Sequence, residues 1–290
     1  MRPLIDADIL RYEIGFSGEF KDENGESTLL DFDRVAELLD DKIELICEEV
    51  GATEKPMLYL TGDEKLAKQQ GVKYKPNFRD TIAVTKPYKG TRKSEKPYHW
   101  HNLTAYMLAT YDCHVSYGIE ADDSMCIEQC WDHVMDEPST IICSRDKDLR
   151  MCPGLHYSWE CGKQGSKGPL FVDPNKAGWL EYIEHESDPA NDKVIGYGDM
   201  FFYYQMLTGD PVDNIPGAPR VGMKKAYPLL KDMTDKREMF EAVKKIYQDK
   251  KGDDWLDYFK EQAYLLWMVR ERDFSDGSPV MYTPPRKEDK

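Results

Sequence analysis

Apolar positions recur along the chain in two rhythms. Residues 2–8, Arg-Pro-Leu-Ile-Asp-Ala-Asp, form a short apolar run closing on carboxylates, and the pattern predicts a buried strand. Met57-Leu-Tyr-Leu60 enters Thr-Gly-Asp63, and Thr140-Ile-Ile-Cys-Ser144 enters Arg-Asp146-Lys-Asp148, so both read as further short strands. Val35, Leu38, Leu39, Ile43, Ile46, Cys47 and Val50 repeat at helical spacing, with Gly51 as a stop. Residues 121–135 read as a helix whose acidic opening suits the positive end of a helix dipole. From about residue 199 the pattern is helical, interrupted by a Gly/Pro-rich stretch at 209–222 and followed after Asp276 by a polar, frayed tail. Residues 152–198, rich in Gly, Pro and aromatics, read as an irregular insertion, and no internal repeat is present.

Short apolar strands separated by amphipathic helices imply a parallel α/β sheet, in which ligands gather outside the carboxyl ends of the strands. Asp6, Asp63, Glu120, Asp122, Asp123, Asp146, Asp148, Asp210 and Asp213 each fall at the end of an apolar run or in the loop after one. A single acidic residue there is ordinarily a cap or turn former. Recurrence in five segments points to a joint role. Carboxylates brought to one edge would raise one another's pKa, and divalent cations would remove that cost. An all-oxygen set selects Mg²⁺ or Mn²⁺, and its size exceeds one octahedral ion and suggests two, a pair suited to phosphodiester hydrolysis. Asp146 and Asp148 point the same way if extended, while Glu120 and Asp123 share a face if helical.

The 290 residues are 40% hydrophobic and 32% charged, with a net charge of −15. No stretch approaches the roughly 20 apolar residues of a membrane span, and Asp6 and Asp8 interrupt the apolar start a signal peptide would need, so a cytoplasmic chain without membrane contact is expected. A uniform −15 would repel nucleic acid. The charge is segregated, however. Residues 65–96 hold ten basic and two acidic side chains, a local +8 that leaves −23 elsewhere. Tyr74, Phe78, Tyr88, Tyr98 and Trp100 in or beside this window suit base stacking next to phosphate neutralisation, the alternative being a solvated surface segment. Seven cysteines without a CxxC pair fit a reducing compartment. Cys126 and Cys130, one helical turn apart, could begin a zinc site with His99, His101, Cys152, His156 or Cys161, against a plainer reading as small core residues.

Leu-Ile-Asp6, Thr-Gly-Asp63, Gly118-Ile-Glu-Ala-Asp-Asp123, Ser144-Arg-Asp-Lys-Asp148 and Thr208-Gly-Asp-Pro-Val-Asp-Asn-Ile-Pro-Gly217 occur in that order. Over roughly residues 4–230 they resemble the 5′-to-3′ exonuclease/flap endonuclease superfamily, especially its bacteriophage members and the 5′-nuclease domain of bacterial DNA polymerase I. The resemblance implies a PIN-like α/β core over 1–205 with a parallel central sheet flanked by helices and a basic helical arch at about 64–105. It implies a helix-hairpin-helix and C-terminal helical region over 206–290. By position, Asp6, Asp63, Glu120 and Asp122 match a first metal site and Asp146, Asp148 and Asp210 a second, with Asp123 and Asp213 at acidic positions that bind through water. Lys89 and Arg92 match the arch residues that reach the scissile phosphate, with Lys86, Tyr88 and Lys93 as DNA contacts beside them. Gly217, Arg220, Gly222, Lys224 and Lys225 fall in the hairpin that binds duplex phosphates, where a K⁺ ion is also implied. The superfamily often has Gly where Arg220 stands, Asp8 is an extra carboxylate given no metal, and Arg11 arrives earlier than the usual helix arginine.

The activity implied is divalent-metal-dependent cleavage of DNA at 5′ ends or flaps in phage replication, within an infected bacterial host. The chain would act as a monomer on DNA, or on RNA primers paired to DNA, with any polymerase or single-strand-binding partner a separate chain. Two alternatives stand beside it. One is a PIN-like ribonuclease, disfavoured by the hairpin suited to duplex DNA. The other is a catalytically silent DNA-binding module, disfavoured because binding alone does not call for a repulsive acidic cluster.

Overall fold

A computed structural model describes residues 1–21, 25–92, 95–134 and 139–286. In chain order the elements are β1 (Arg2–Asp6), α1 (Ala7–Ser17), β2 (Glu19–Lys21), β3 (Ser27–Leu29), α2 (Phe32–Glu49), β4 (Met57–Thr61), α3 (Glu64–Gln70), α4 (Phe78–Ile82), α5 (Trp100–Thr110), β5 (Asp112–Ser116), α6 (Ala121–Val134), β6 (Thr140–Cys143), β7 (Gly154–Ser158) and β8 (Lys167–Val172). They continue through β9 (Trp179–Ile183), β10 (Lys193–Tyr197), α7 (Gly198–Thr208), α8 (Met223–Leu230), α9 (Lys236–Lys251) and α10 (Trp255–Leu266). The chain divides into one unit of Met1–Pro76, Lys93–Leu149 and Gly154–Phe171, and a second of Asn77–Arg92, Arg150–Pro153 and Val172–Lys290. No described helix is long and apolar enough to cross a membrane.

The first unit is built on a six-stranded sheet in the order β5-β4-β1-β6-β7-β8. β5, β4, β1, β6 and β7 are parallel neighbours, held in register by pairs such as Thr61 with Ser116, Leu4 with Met57 and Ile5 with Cys143. Successive strand side chains point to opposite faces, and here both faces are covered, which is why β1, β4 and β6 read as unbroken apolar runs. Ile5, Leu58, Leu60, Ile141 and Cys143 join one core with Leu10 and Ile14 of α1, Val35, Leu39, Ile43 and Ile46 of α2, and Leu103 and Met107 of α5. The intervening Tyr59 reaches α6 instead, its hydroxyl donating to Glu128. The predicted α2 and α6 helices form over the expected spans. β5 escaped the sequence pattern because Asp112-Cys-His-Val-Ser116 is an edge strand of alternating exposure with few apolar residues.

The expectation of an irregular segment at 152–198 is corrected. β7 pairs in parallel with β6, Ile142 against His156, and β9 and β10 form an antiparallel pair, Trp179 against Tyr197. Glycine and aromatic residues masked these strands, since Gly154 and Gly196 interrupt the apolar runs.

In the second unit α7 is buried almost all round, from Met200 to Leu207, as a central helix must be. The tail does not fray directly after Asp276. Tyr282 is 7% exposed among Phe202, Trp267 and Tyr203, and its hydroxyl lies 2.9 Å from that of Tyr203. After α7 the backbone folds back on itself, with Asp210 and Ile215 exchanging both N–H···O bonds at 2.8 Å. Gly209 and Gly217 meet there at φ 71° and 66°. A Cβ on Gly217 would stand 2.2 Å from the Gly209 nitrogen, so backbone meets backbone and no side chain can yield.

Gly217→Ala combines left-handed strain with that clash and should destabilise the protein by roughly 2–5 kcal/mol. Urea unfolding is the check, and an unchanged midpoint would contradict the close approach.

Candidate active site

Parallel pairing brings the carboxyl ends of β5, β4, β1 and β6 to the same edge of the sheet. The sequence continues each strand into an acidic segment: Glu120, Asp122 and Asp123 beyond β5, Asp63 beyond β4, Asp6 at the tip of β1, and Asp146 and Asp148 beyond β6. Four neighbouring strands therefore carry seven of the nine predicted carboxylates on one edge. The remaining two, Asp210 and Asp213, belong to the second unit.

Several of these carboxylates are fixed by local backbone. Asp6 caps α1, its Oδ1 accepting from the Ile9 amide at 3.1 Å, and Asp63 caps α3, accepting from Leu66 at 2.8 Å. Asp123, wholly buried, accepts from the Glu120 amide at 3.1 Å. Asp146 accepts from the Asp148 amide at 2.8 Å, and buried Asp210 from Val212 at 2.9 Å. Cap and ligand are thus compatible roles. One oxygen spent on a nearby amide locks the rotamer, and an ionised carboxylate still has acceptor capacity left.

Asp6 carries the greatest electrostatic load. It is 1% exposed, and burial, then the charge of Asp8 and more weakly that of Asp146, pushes its carboxyl up to about 7 against hydrogen bonds from Ser144 and Ile9. Among the described residues no Lys or Arg pairs with it. Ser144 is a site residue that sequence reasoning passed over. Its Oγ donates to Asp6 Oδ2 at 2.7 Å and accepts from the Asp146 amide at 2.9 Å, joining the two carboxylate segments through one hydroxyl. The only signal was its place in Ser-Arg-Asp-Lys-Asp. Asp8 was likewise undervalued. It accepts from the Thr61 amide at 3.0 Å and pairs with Arg11.

Arg11 is turned inward rather than toward solvent. It is 5% exposed, donates to Thr104 Oγ1 at 3.1 Å and lies 4.0 Å over the Trp100 ring. Beside it a cavity of about 90 Å³, lined by Asp63, Lys65, Trp100 and His101, opens next to the acidic edge. Lys96 lies 3.9 Å from Asp63.

In the second unit the structure brings Lys89, Arg92 and Tyr88 to a single carboxylate. Arg92 Nη2 is 2.5 Å from Asp213 Oδ1, the Tyr88 hydroxyl donates to Asp213 Oδ2 at 3.0 Å, and Lys89 Nζ lies 4.0 Å away. Lys89 sits at φ 52°, a left-handed conformation that non-glycine residues hold at a cost, and its amide donates to the Asp213 carbonyl at 3.0 Å. Lys86 is exposed, whereas Lys93 lies outside the described residues. Arg220 also has positive φ, 62°, which explains physically why glycine suits that position. Gly222 caps α8 at φ −108° with open space where a Cβ would go, so nothing steric demands glycine there. Lys224 and Lys225 are exposed in the first turn of α8, where unpaired amides favour an anion.

The donor chemistry at the edge fits a hard divalent cation: carboxylate oxygens, with Asp6 raised first by burial and then by like charge, and no Lys or Arg paired with it among the described residues. Among the described residues, no three acidic, His or Cys side chains gather into one metal-holding group. That holds equally for the cysteines and histidines of the alternative zinc reading.

This fold matches that of the 5′-exonuclease of bacteriophage T5, solved with bound divalent zinc, at a TM-score of 0.54 and 15% identity over 92% of this chain and 86% of that one. A T5 flap endonuclease in a pseudo-enzyme–product complex with DNA and metal ions gives a TM-score of 0.45 and 14% identity over 91% and 93% of the chains. In sequence, the chain is 27% identical to DNA polymerase I of Bacillus subtilis (strain 168) over 187 residues, 62% of this chain. The matched stretch spans only 19% of that polymerase. No family model matches. The chain has the fold of the 5′-nuclease superfamily, a mainly parallel central sheet flanked by helices. It resembles that superfamily also in its ordered acidic segments.

The raised Asp6 pKa sets a sign. Its folded value lies above the ordinary 3.8, so the favourable contribution is complete below about pH 4 and is lost as pH rises through about 7. Asp6→Asn should therefore melt higher than the parent at pH 8 in EDTA, the difference vanishing near pH 4. Mn²⁺ should raise the melting temperature of the parent more than that of Asp6→Asn, and equal shifts would remove Asp6 from the cation site. Arg220→Gly should relieve left-handed strain and stabilise the protein by about 1 kcal/mol in denaturant unfolding.

Proposed function

We propose that the chain is a divalent-metal-dependent 5′ nuclease that hydrolyses DNA phosphodiesters at 5′ ends or flap junctions, with a role in processing phage replication intermediates. One observation carries this reading: four adjacent parallel strands lead into carboxylates at one edge, and among the described residues no Lys or Arg pairs with the buried Asp6 at that edge.

Asp6, Asp63, Glu120 and Asp122 would hold one ion, Asp146, Asp148 and Asp210 a second, with Asp123 and Asp213 engaged through water. When bound, Mg²⁺ or Mn²⁺ supplies Lewis-acid activation of water and of the leaving oxygen. The chain's own residues do the rest. Ser144 holds the Asp6 carboxylate and the Asp146 backbone in place, so the Asp6 carboxylate needs little reorganisation. Lys89 and Arg92, side by side on Asp213, form a cationic pair that offsets charge developing on the scissile phosphate. Tyr88 offers a ring for stacking the 5′ strand, and Lys86 neutralises its backbone. The loop from Gly217 through Arg220 to Gly222, with Lys224 and Lys225 on α8, serves as a helix-hairpin-helix for duplex phosphates, with K⁺ as the fitting monovalent ion.

The test is cleavage of a labelled 5′-flap duplex, a blunt duplex and single-stranded RNA by full-length protein, each with Mg²⁺ or EDTA. Mg²⁺-dependent cutting of DNA is expected, and cutting of RNA alone would replace this reading with a ribonuclease. Asp146→Ala and Asp210→Ala should abolish cleavage while leaving DNA binding in EDTA within about twofold, as expected for groups that hold metal rather than DNA. Lys89→Ala should lower kcat on the order of 100-fold with little change in duplex affinity.

A further inference from the structure

Two buried charged side chains fasten the segment carrying Lys89 and Arg92 to α10. Arg79, 2% exposed, donates from Nε to the Leu265 carbonyl at 3.1 Å and from Nη2 to the Trp267 carbonyl at 2.8 Å. It thereby serves the carbonyl end of α10, where a helix dipole favours a cation. The Phe78 and Tyr88 rings lie 4.6 and 6.0 Å from its guanidinium. Glu261, one turn earlier on α10 and 6% exposed, faces the same segment. It accepts the Val84 amide at 2.8 Å, the Thr85 amide at 2.6 Å and the Thr85 hydroxyl.

Neither Val84 nor Thr85 lies in a helix or strand, so their amides have no ladder to join, and one carboxylate serves both. A buried carboxylate is costly unless its charge is met by good donors, and three of them on Glu261 meet that demand. Between this anchor and the cationic pair the chain has little slack. Pro87 fixes one φ, the Pro87 carbonyl accepts from Asn214 Nδ2 at 2.9 Å and from the Gly90 amide at 3.1 Å, and Lys89 is held in its left-handed conformation.

We infer that Glu261, with Arg79 as its counterpart, is a positioning residue: by fixing the backbone at Val84 and Thr85 it sets where Lys89 and Arg92 present their charge. The inference rests on the nuclease reading, in which those two side chains face the scissile phosphate. Glu261 does not touch substrate. It acts through the main chain, so its loss misplaces the cations without removing them.

Two measurements on the full chain test this. Hydrogen exchange reads the anchor without reference to activity. Glu261→Ala should expose the Val84 and Thr85 amides, speeding their exchange by about tenfold or more, and Glu261→Gln, which keeps an acceptor oxygen, should retain part of the protection. On the flap duplex with Mg²⁺, Glu261→Ala should lower kcat by up to about 100-fold with KM nearly unchanged, and Glu261→Gln should recover most of it. In a background with both Lys89→Ala and Arg92→Ala the same Glu261→Ala change should cost no more than about twofold, because it acts through those two side chains. Thr85→Ala removes one donor from an exposed position and should give a smaller loss in the same direction, which keeps the test decisive if Glu261→Ala fails to fold. An undiminished kcat in Glu261→Ala, or an equal loss with and without the Lys89–Arg92 pair, would overturn the positioning role. A parent protein that cuts no DNA overturns the nuclease reading itself and the role with it, a result distinct from a cutting parent and an equally active variant.

Discussion

Like charges confined to one edge of a parallel sheet are the constraint on which this molecule turns. Parallel pairing of β5, β4, β1 and β6 leaves no choice about where their carboxyl ends lie. Each strand there continues into acidic residues, so the fold that buries the apolar core also concentrates negative charge. The cost falls most heavily on Asp6, which is buried, flanked by Asp8 and Asp146, and, among the described residues, served only by neutral donors. A sheet edge of this kind is unfavourable as a structural device and becomes favourable when a divalent cation occupies it.

The surroundings manage that charge in two ways. Caps and tight turns take one oxygen of Asp6, Asp63, Asp123, Asp146 and Asp210, holding each side chain in a single orientation. Cations are kept selective. Arg11 is committed to Asp8, while Lys89 and Arg92 sit on Asp213 in the unit that also holds Asp210. Among the described residues Asp6 itself has no Lys or Arg partner, which is consistent with the metal role proposed for it.

Legibility from sequence followed the range of the interactions. β1, β4 and β6 were readable because burial on both faces makes an uninterrupted apolar run, and α2 because one buried face repeats at helical spacing. The acidic segments were readable because each directly follows its strand. β5 was hidden by polar alternation at a sheet edge, and β7, β9 and β10 by glycine and aromatic residues that carry no clear period. Contacts between distant segments left no trace: Tyr282 docking on Phe202, Asp213 gathering Tyr88, Lys89 and Arg92, and Glu261 holding Val84 and Thr85. Ser144 lay in plain view within a recognised motif, yet its bridging role depends on the Oγ meeting Asp6, a partner 138 residues away.

Titration of the Asp6 carboxyl by carbon-detected NMR, with and without Mg²⁺, tests the central claim most directly. In EDTA the midpoint should lie near 7, and saturating Mg²⁺ should draw it down toward the ordinary carboxylate range of about 4 or below. A midpoint already near 4 in EDTA, or one near 7 that Mg²⁺ does not move, would contradict the account.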